Sequence, residues 1–209
     1  MAQRRPIATR DRKWAQRIAA WLARHEVTPN RISQASILFA AVAGAAFWLS
    51  GGASAPWLIV AALGVQGRLL CNLFDGMVAV EGGRAEPDGP FWNEAPDRYA
   101  DILILVGMGL GAAMPALGWA AATMAVLAAY TREAGAAQGL EPDFSGPMAK
   151  QHRMALTTLG AVLGIFIPIL MGQPTLALVL WVIILGAAFT ALRRGQKMVA
   201  DLNSSRDQS

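Results

Sequence analysis

Three aspartates and an asparagine interrupt an otherwise apolar part of this sequence: Asn72, Asp75, Asp97 and Asp101, with Arg68 just ahead of them. An α-helix turns about 100° per residue, which places Arg68, Asn72, Asp75 and Ala79 within an arc of about 60° on one helix face. Asp97 and Asp101 lie one turn apart on the next helix. Two adjacent antiparallel helices would aim three carboxylates and one amide oxygen into a single pocket, and Ala79 leaves space beside them. Carboxylates in membrane helices are expensive and usually mark function. Unpaired, they would repel one another, so a hard divalent cation is the natural compensator. An all-oxygen set points to Mg²⁺ or Mn²⁺ and away from zinc.

The elements that must position these groups are read from hydropathy. Of the 209 residues, 55% are apolar and 15% charged, and the mean hydropathy is +0.38; this composition suits a bilayer better than water. A bilayer core asks for roughly 17 to 25 mostly apolar residues per helix. Six candidate spans satisfy or approach that length: Ile32 to Ser50, Pro56 to Val80, Asn93 to Met114, Leu117 to Tyr130, Met154 to Gly172 and Thr175 to Leu192. The expected fold is therefore an all-α integral membrane protein of six transmembrane helices.

Charge placement agrees with that count. With the N-terminus inside, the connections Gly51 to Ala55, Pro115 to Ala116 and Gln173 to Pro174 face outward and carry no charged residue. The Lys and Arg outside the helices then fall inside, in the N-terminal arm, Glu81 to Trp92, Arg132 to Arg153 and the tail after Leu192, as the positive-inside rule requires. This segregation accounts for the net charge of +4 as topology plus attraction to anionic lipid, and it argues against nucleic acid as a partner. The expected location is the cytoplasmic membrane, multi-pass, with both termini and the carboxylate cluster facing the cytoplasm.

The basic N-terminus lacks the uninterrupted apolar stretch of a secretory signal. Trp14, Ile18, Trp21 and Leu22 recur at helical spacing opposite Arg12, Lys13, Arg17 and Arg24, which describes an amphipathic helix lying in the membrane interface. Thr28-Pro29-Asn30 ends it. Residues 1–31 thus form a cytoplasmic arm with an interfacial helix, 32–194 the six-helix domain and 195–209 a polar tail, expected to be disordered from Asp201. Cys71 is the only cysteine, so no intrachain disulfide forms.

The run Asn72-Leu-Phe-Asp75-Gly76-Met-Val-Ala79, followed by Asn93 and then Asp97 and Asp101, resembles the CDP-alcohol phosphotransferase motif, Asp-x2-Asp-Gly-x2-Ala-Arg-x8-Gly-x3-Asp-x3-Asp. The Thr28 to Ser33 entry to the first span and the six-helix layout extend the resemblance over most of the chain. Asp75, Gly76, Ala79, Asp97 and Asp101 match. Asn72 stands at the first Asp, Val80 at the Arg and Asn93 at the Gly, and the stretch between Val80 and Asn93 is longer than in the motif. Counting back from Asn93 by the motif's gap lands on Arg84, a candidate replacement for the missing Arg or one more positive-inside loop residue.

The resemblance implies a membrane transferase that moves a phosphoalcohol group, phosphatidyl above all, from a CDP-linked lipid donor to an alcohol or phosphorylated alcohol, releasing CMP. It implies Asn72, Asp75, Asp97 and Asp101 at Mg²⁺ or Mn²⁺, Asp101 also as general base, and Gly76, Ala79, Asn30 and Asn93 around the nucleotide. A homodimer is expected as well. Arg68 could pair with Asp75 or act on the donor diphosphate, and Lys150 and Arg153 stand where an anionic headgroup or acceptor phosphate would enter. Glu81, Glu86, Asp88 and Glu94 read as a solvated loop face and His152 as a bystander. The competing readings are an inactive relative that binds lipid or a membrane partner, and a small transporter.

Overall fold

The structure, a computed structural model, describes residues 12–81 and 87–206. Among them the chain forms seven helices and one two-residue hairpin. Helix α1 (Lys13–Arg24) ends at His25, and Glu26 adopts a positive φ of 58° that turns the chain away. Thr28 then caps α2 (Pro29–Leu49), its hydroxyl accepting from the Arg31 amide, with Pro29 at the first helical position, where its missing N–H goes unused. Helices α3 (Ala55–Glu81), α4 (Gly89–Gly111), α5 (Pro115–Ala137), α6 (Lys150–Phe166) and α7 (Thr175–Arg206) follow. A hairpin of β1 (Ile169–Leu170) and β2 (Gln173–Pro174) separates the last two.

Helix α2 packs against both α3 and α4, α5 against α4 and α7, α6 against α3 and α7, and α1 against α3. The α2–α4 contact is backbone on backbone. A Cβ on Gly107 would lie 2.1 Å from the Gly44 carbonyl oxygen, and one on Gly111 2.1 Å from that of Phe47. Where lipid removes any hydrophobic drive between helices, small residues that let backbones approach supply the packing. Gly107→Leu is accordingly expected to destabilise the bundle by at least about 1–3 kcal/mol, the usual effect of overpacking. Thermal unfolding in detergent checks this, and a wild-type midpoint would refute the crossing.

All charged ends gather at one pole of the bundle. There Ser33 of α2 meets Asp75 of α3, Asp97 of α4 meets Lys150 of α6, and Arg194 of α7 reaches the Ser145 carbonyl before α6. The uncharged turns collect at the other pole, where Gly52 lies near Gly111 and Gly164 near Gly52. Between the poles, Leu38, Trp48, Leu63, Trp119, Leu185 and Phe189 are exposed, an outer surface suited to lipid. Among the described residues, three helices are long and apolar enough to cross a membrane by length and composition: Pro29–Leu49, Ala55–Val80 and Thr175–Ser204.

Several boundaries differ from the sequence reading. The helix of Asp97 and Asp101 starts at Gly89, and α5 continues past Tyr130 to Ala137. Helix α6 spans Lys150–Phe166 and does not reach Gly172, because Pro168 cannot continue it and Ile169 to Pro174 turn back as the hairpin. Helix α7 carries the chain to Arg206, so the expected disorder from Asp201 is replaced by helix at least that far. In α1, small residues face inward: Ala15 and Ala19 are buried against α3, whereas Trp14, Ile18 and Trp21 are exposed. Arg84 and Glu86 lie outside the described residues.

Candidate active site at the charged pole

Helices α3, α4 and the first turn of α6 converge on Asp97. Its Oδ1 accepts from Arg68 Nη2 at 2.9 Å and from Asn72 Nδ2 at 2.7 Å, and its Oδ2 accepts from Lys150 Nζ at 2.5 Å. Arg68 and Asn72 share one face of α3, one turn apart, which is why one carboxylate reaches both. One turn further along α4, Asp101 Oδ2 accepts from Arg153 Nη2 at 2.6 Å, while Arg153 Nη1 donates to the Met148 carbonyl at 2.9 Å. Asp75 accepts from the Ser33 hydroxyl at 2.7 Å and from the Gly76 amide at 2.5 Å.

Arg68, Asp75, Asp97, Asp101 and Arg153 are all buried. Removing charges from water is tolerated only where partners compensate; here Asp97 faces Arg68 and Lys150 and Asp101 faces Arg153, while Asp75 is met by the Ser33 hydroxyl and the Gly76 amide. Compensation comes from the chain itself. Asn72 donates its amide nitrogen to Asp97, while its Oδ1 is buried without a partner. Arg68 pairs with Asp97, not Asp75. Among the described residues no three His, Cys, Asp or Glu side chains form a group able to hold a metal ion. Asp97 is closed to an ion in this arrangement, since Arg68, Asn72 and Lys150 engage both of its oxygens, whereas Asn72 Oδ1 and Asp101 Oδ1 are left without a partner.

Buried side-chain atoms without a hydrogen-bond partner concentrate at this site: Arg68 Nε and Nη1, Asn72 Oδ1, Asp101 Oδ1 and Arg153 Nε. Folded proteins rarely leave such atoms unsatisfied, and where they do the gap is usually functional. The arrangement offers three guanidinium N–H donors, which suit an anionic group, beside two acceptor oxygens, Asn72 Oδ1 and Asp101 Oδ1, which suit a hydroxyl or another donor.

Other sequence candidates fall around this centre. Asn30 Nδ2 donates to Asp88 Oδ1 at 2.8 Å, and Trp92 Nε1 donates to Asp88 Oδ2 at 2.9 Å, tying the start of α2 to the start of α4. Ala79 is half-buried and Asn93 exposed beside Glu94. Asp88 and Glu94 are not a free solvated face: Glu94 accepts from Arg98 and from Arg132, and Arg132 stacks 5.1 Å from the centre of the Phe144 ring. The Glu94/Arg98 spacing of four residues on a helix signals that pair. Nothing in the sequence signals Ser33 as the partner of Asp75. His152 is exposed.

The loop before α6 sets the position of Lys150. Asp143 Oδ1 accepts from the Ser145 amide at 2.8 Å, its Oδ2 lies 3.9 Å from Lys197 Nζ, and the Met148 amide donates to Thr190 Oγ1. Burial pushes the Asp143 carboxyl up, but the Ser145 hydrogen bonds with Lys197 and Arg194 outweigh it, and the group sits below the ordinary carboxylate range. A depressed pKa gives stability that is present above the unfolded value of about 4 and lost as pH falls through the folded one. The loop is expected to loosen in acid, and Asp143→Asn to flatten that dependence. Hydrogen exchange at 140–149 between neutral pH and about pH 3 measures it; equal acid sensitivity in the variant would contradict it.

These helices define an all-α bundle with a buried, charge-balanced polar cluster at one pole. No protein-family model matches the sequence, and no curated protein does. Solved structures do match. The chain is 19% identical to the phosphatidylinositol phosphate synthase of Mycobacterium tuberculosis with CDP-DAG bound, at a TM-score of 0.75, over 90% of this chain and 94% of that one. The same synthase in complex with manganese and citrate matches at 0.73, with 19% identity and 88% of each chain covered. The shared fold thus extends over nearly the whole chain.

Proposed function

We propose that this chain is a membrane transferase of the CDP-alcohol phosphotransferase type, moving a phosphoalcohol group, phosphatidyl in the first instance, from a CDP-linked lipid to an alcohol or phosphorylated alcohol. What carries the reading is the buried cluster of Arg68, Asn72, Asp97, Lys150, Asp101 and Arg153 with its unpartnered polar atoms. Asp97 and Asp101 stand at motif positions and Asn72 at the motif's first Asp, in a fold shared with a synthase solved with CDP-DAG bound. In the reaction the acceptor hydroxyl oxygen forms a bond to the phosphorus bearing the alcohol, the bridging P–O bond breaks, and CMP departs with the electron pair. The hydroxyl proton goes to a base, for which Asp101 Oδ1 is the candidate, since Arg153 holds Oδ2 and fixes the orientation. Arg68 and Lys150 supply the fixed positive charge that steadies the diphosphate.

Six spans, the interfacial α1 with Trp14 and Trp21 at headgroup depth, a site facing the cytoplasm and a homodimer complete the reading. Arg153, at the start of α6, would lie toward the acceptor, with Asn30, Gly76, Ala79 and Asn93 toward the nucleotide. A second reading, a relative that binds the donor lipid without turnover, draws support from Asn72, which removes a negative charge from the motif. Transport is disfavoured, because the buried acids Asp75, Asp97 and Asp101 all lie near one pole and form no path across the bundle. Purified protein incubated with CDP-diacylglycerol and candidate alcohols tests the proposal: CMP release supports transfer, donor binding without CMP supports the second reading, and neither result defeats both.

A further inference from the structure

In this chain, we infer, the fixed positive charge of Arg68 and Lys150 stands where a divalent ion would otherwise be held, so that a diphosphate binds here without metal; the inference rests on the donor class proposed above. Both oxygens of Asp97 are taken, by Arg68 and Asn72 on one side and Lys150 on the other. Both oxygens of Asp75 are taken by Ser33 and the Gly76 amide. A metal entering at Asp97 would have to displace the Lys150 ammonium from Oδ2, or from Oδ1 a guanidinium that is 0% exposed, leaving a charge without its partner, a costly state where it is buried.

The same guanidinium is equipped to bind an anion. Arginine carries five N–H donors and no acceptor, and Arg68 gives Asp97 only its Nη2, while Nε and Nη1 are buried with no partner. Arg153 Nε is a third buried donor in that condition. Planar N–H forks match phosphate oxygens, and Arg stays charged at every relevant pH. Asn72 fits the arrangement: turned as a donor toward Asp97 it helps fix the orientation of the carboxylate that holds Arg68, whereas an aspartate there would repel Asp97.

The test uses the full chain in lipid nanodiscs after EDTA treatment. Mn²⁺ binding is titrated by electron paramagnetic resonance, and CDP-diacylglycerol binding by calorimetry with and without Mn²⁺. Wild type is expected to show no saturable Mn²⁺ binding and to bind the nucleotide lipid equally well in EDTA. Lys150→Gln, and more strongly Arg68→Gln with Lys150→Gln, should gain saturable Mn²⁺ binding as Asp97 is released. Lys150 is half-exposed, so the single variant tests the idea even if the double fails to fold. Saturable Mn²⁺ binding to wild type that Asp97→Asn removes would overturn the inference, as would no gain in Lys150→Gln. Donor binding only with Mn²⁺ would overturn it and leave the transferase reading standing. No donor binding under either condition would defeat the transferase reading, and the Mn²⁺ titration would still decide what the cations do.

Discussion

Arg153→Ala is expected to lose about 3–5 kcal/mol of stability, the usual consequence of removing one partner of a buried ion pair. Asp101 is 0% exposed and Arg153 3%, and among the described residues their 2.6 Å contact supplies the only partner of either Asp101 oxygen. Total stabilities run at about 5–15 kcal/mol, so this single change approaches the limit of what a fold tolerates. The damage comes from the stranded carboxylate more than from the lost contact. Pairing Arg153→Met with Asp101→Leu should therefore regain most of the stability, because no buried charge remains, while CMP release stays absent. Unfolding midpoints in detergent for the single and double variants decide it; a single variant as stable as wild type would mean that Asp101 is not sealed from water. Asp101→Asn separates chemistry from stability: the donor should still bind, and CMP release should fall to background at every pH.

How the site differs from its sequence reading follows from what helical spacing can and cannot carry. The 100° periodicity places Arg68, Asn72 and Asp75 on one face, and two of the three do meet Asp97. Spacing ranks residues by direction along one helix but is silent about partners from distant helices. Ser33 approaches Asp75 from 42 residues away, and Lys150 approaches Asp97 from 53. Without those donors, three carboxylates demand an external cation. With them the charge already closes. The polar stretch that positions Lys150 gave no period to read, and Lys150 and Arg153 looked like topology charges as much as ligands. The helices themselves were easier to read, because each apolar run falls mainly in one helix, and among the described residues three of these helices are long and apolar enough to cross a membrane. The ends were harder: α7 continues into polar sequence because Arg194 bonds the Ser145 and Ala128 carbonyls and anchors it past the apolar run.

Asn72 and Arg68 bind the same oxygen, Asp97 Oδ1, and this shared contact fixes how their substitutions should combine. Arg68→Ala removes a fixed cation from a water-poor site and is expected to cut turnover by about 10²–10³, the range seen when one preorganised donor is deleted. Asn72→Asp replaces a hydrogen-bond donor with a second negative charge facing Asp97. With Arg68 present the guanidinium offsets part of that repulsion, so the loss should be modest. In the double variant nothing offsets it, and in EDTA the combined loss should exceed the sum of the single losses, as expected for residues in direct contact. Added Mg²⁺ should then restore the double variant and leave wild type and Arg68→Ala unchanged, because only the double variant sets a second carboxylate against Asp97 with no guanidinium between them, whereas in Arg68→Ala the lone Asp97 is still held by Lys150. The measurement is CMP release for the four proteins, each with EDTA and with Mg²⁺. Additive losses would separate Arg68 from Asn72, and rescue of Arg68→Ala by Mg²⁺ alone would show that the native Asn72 already supports an ion.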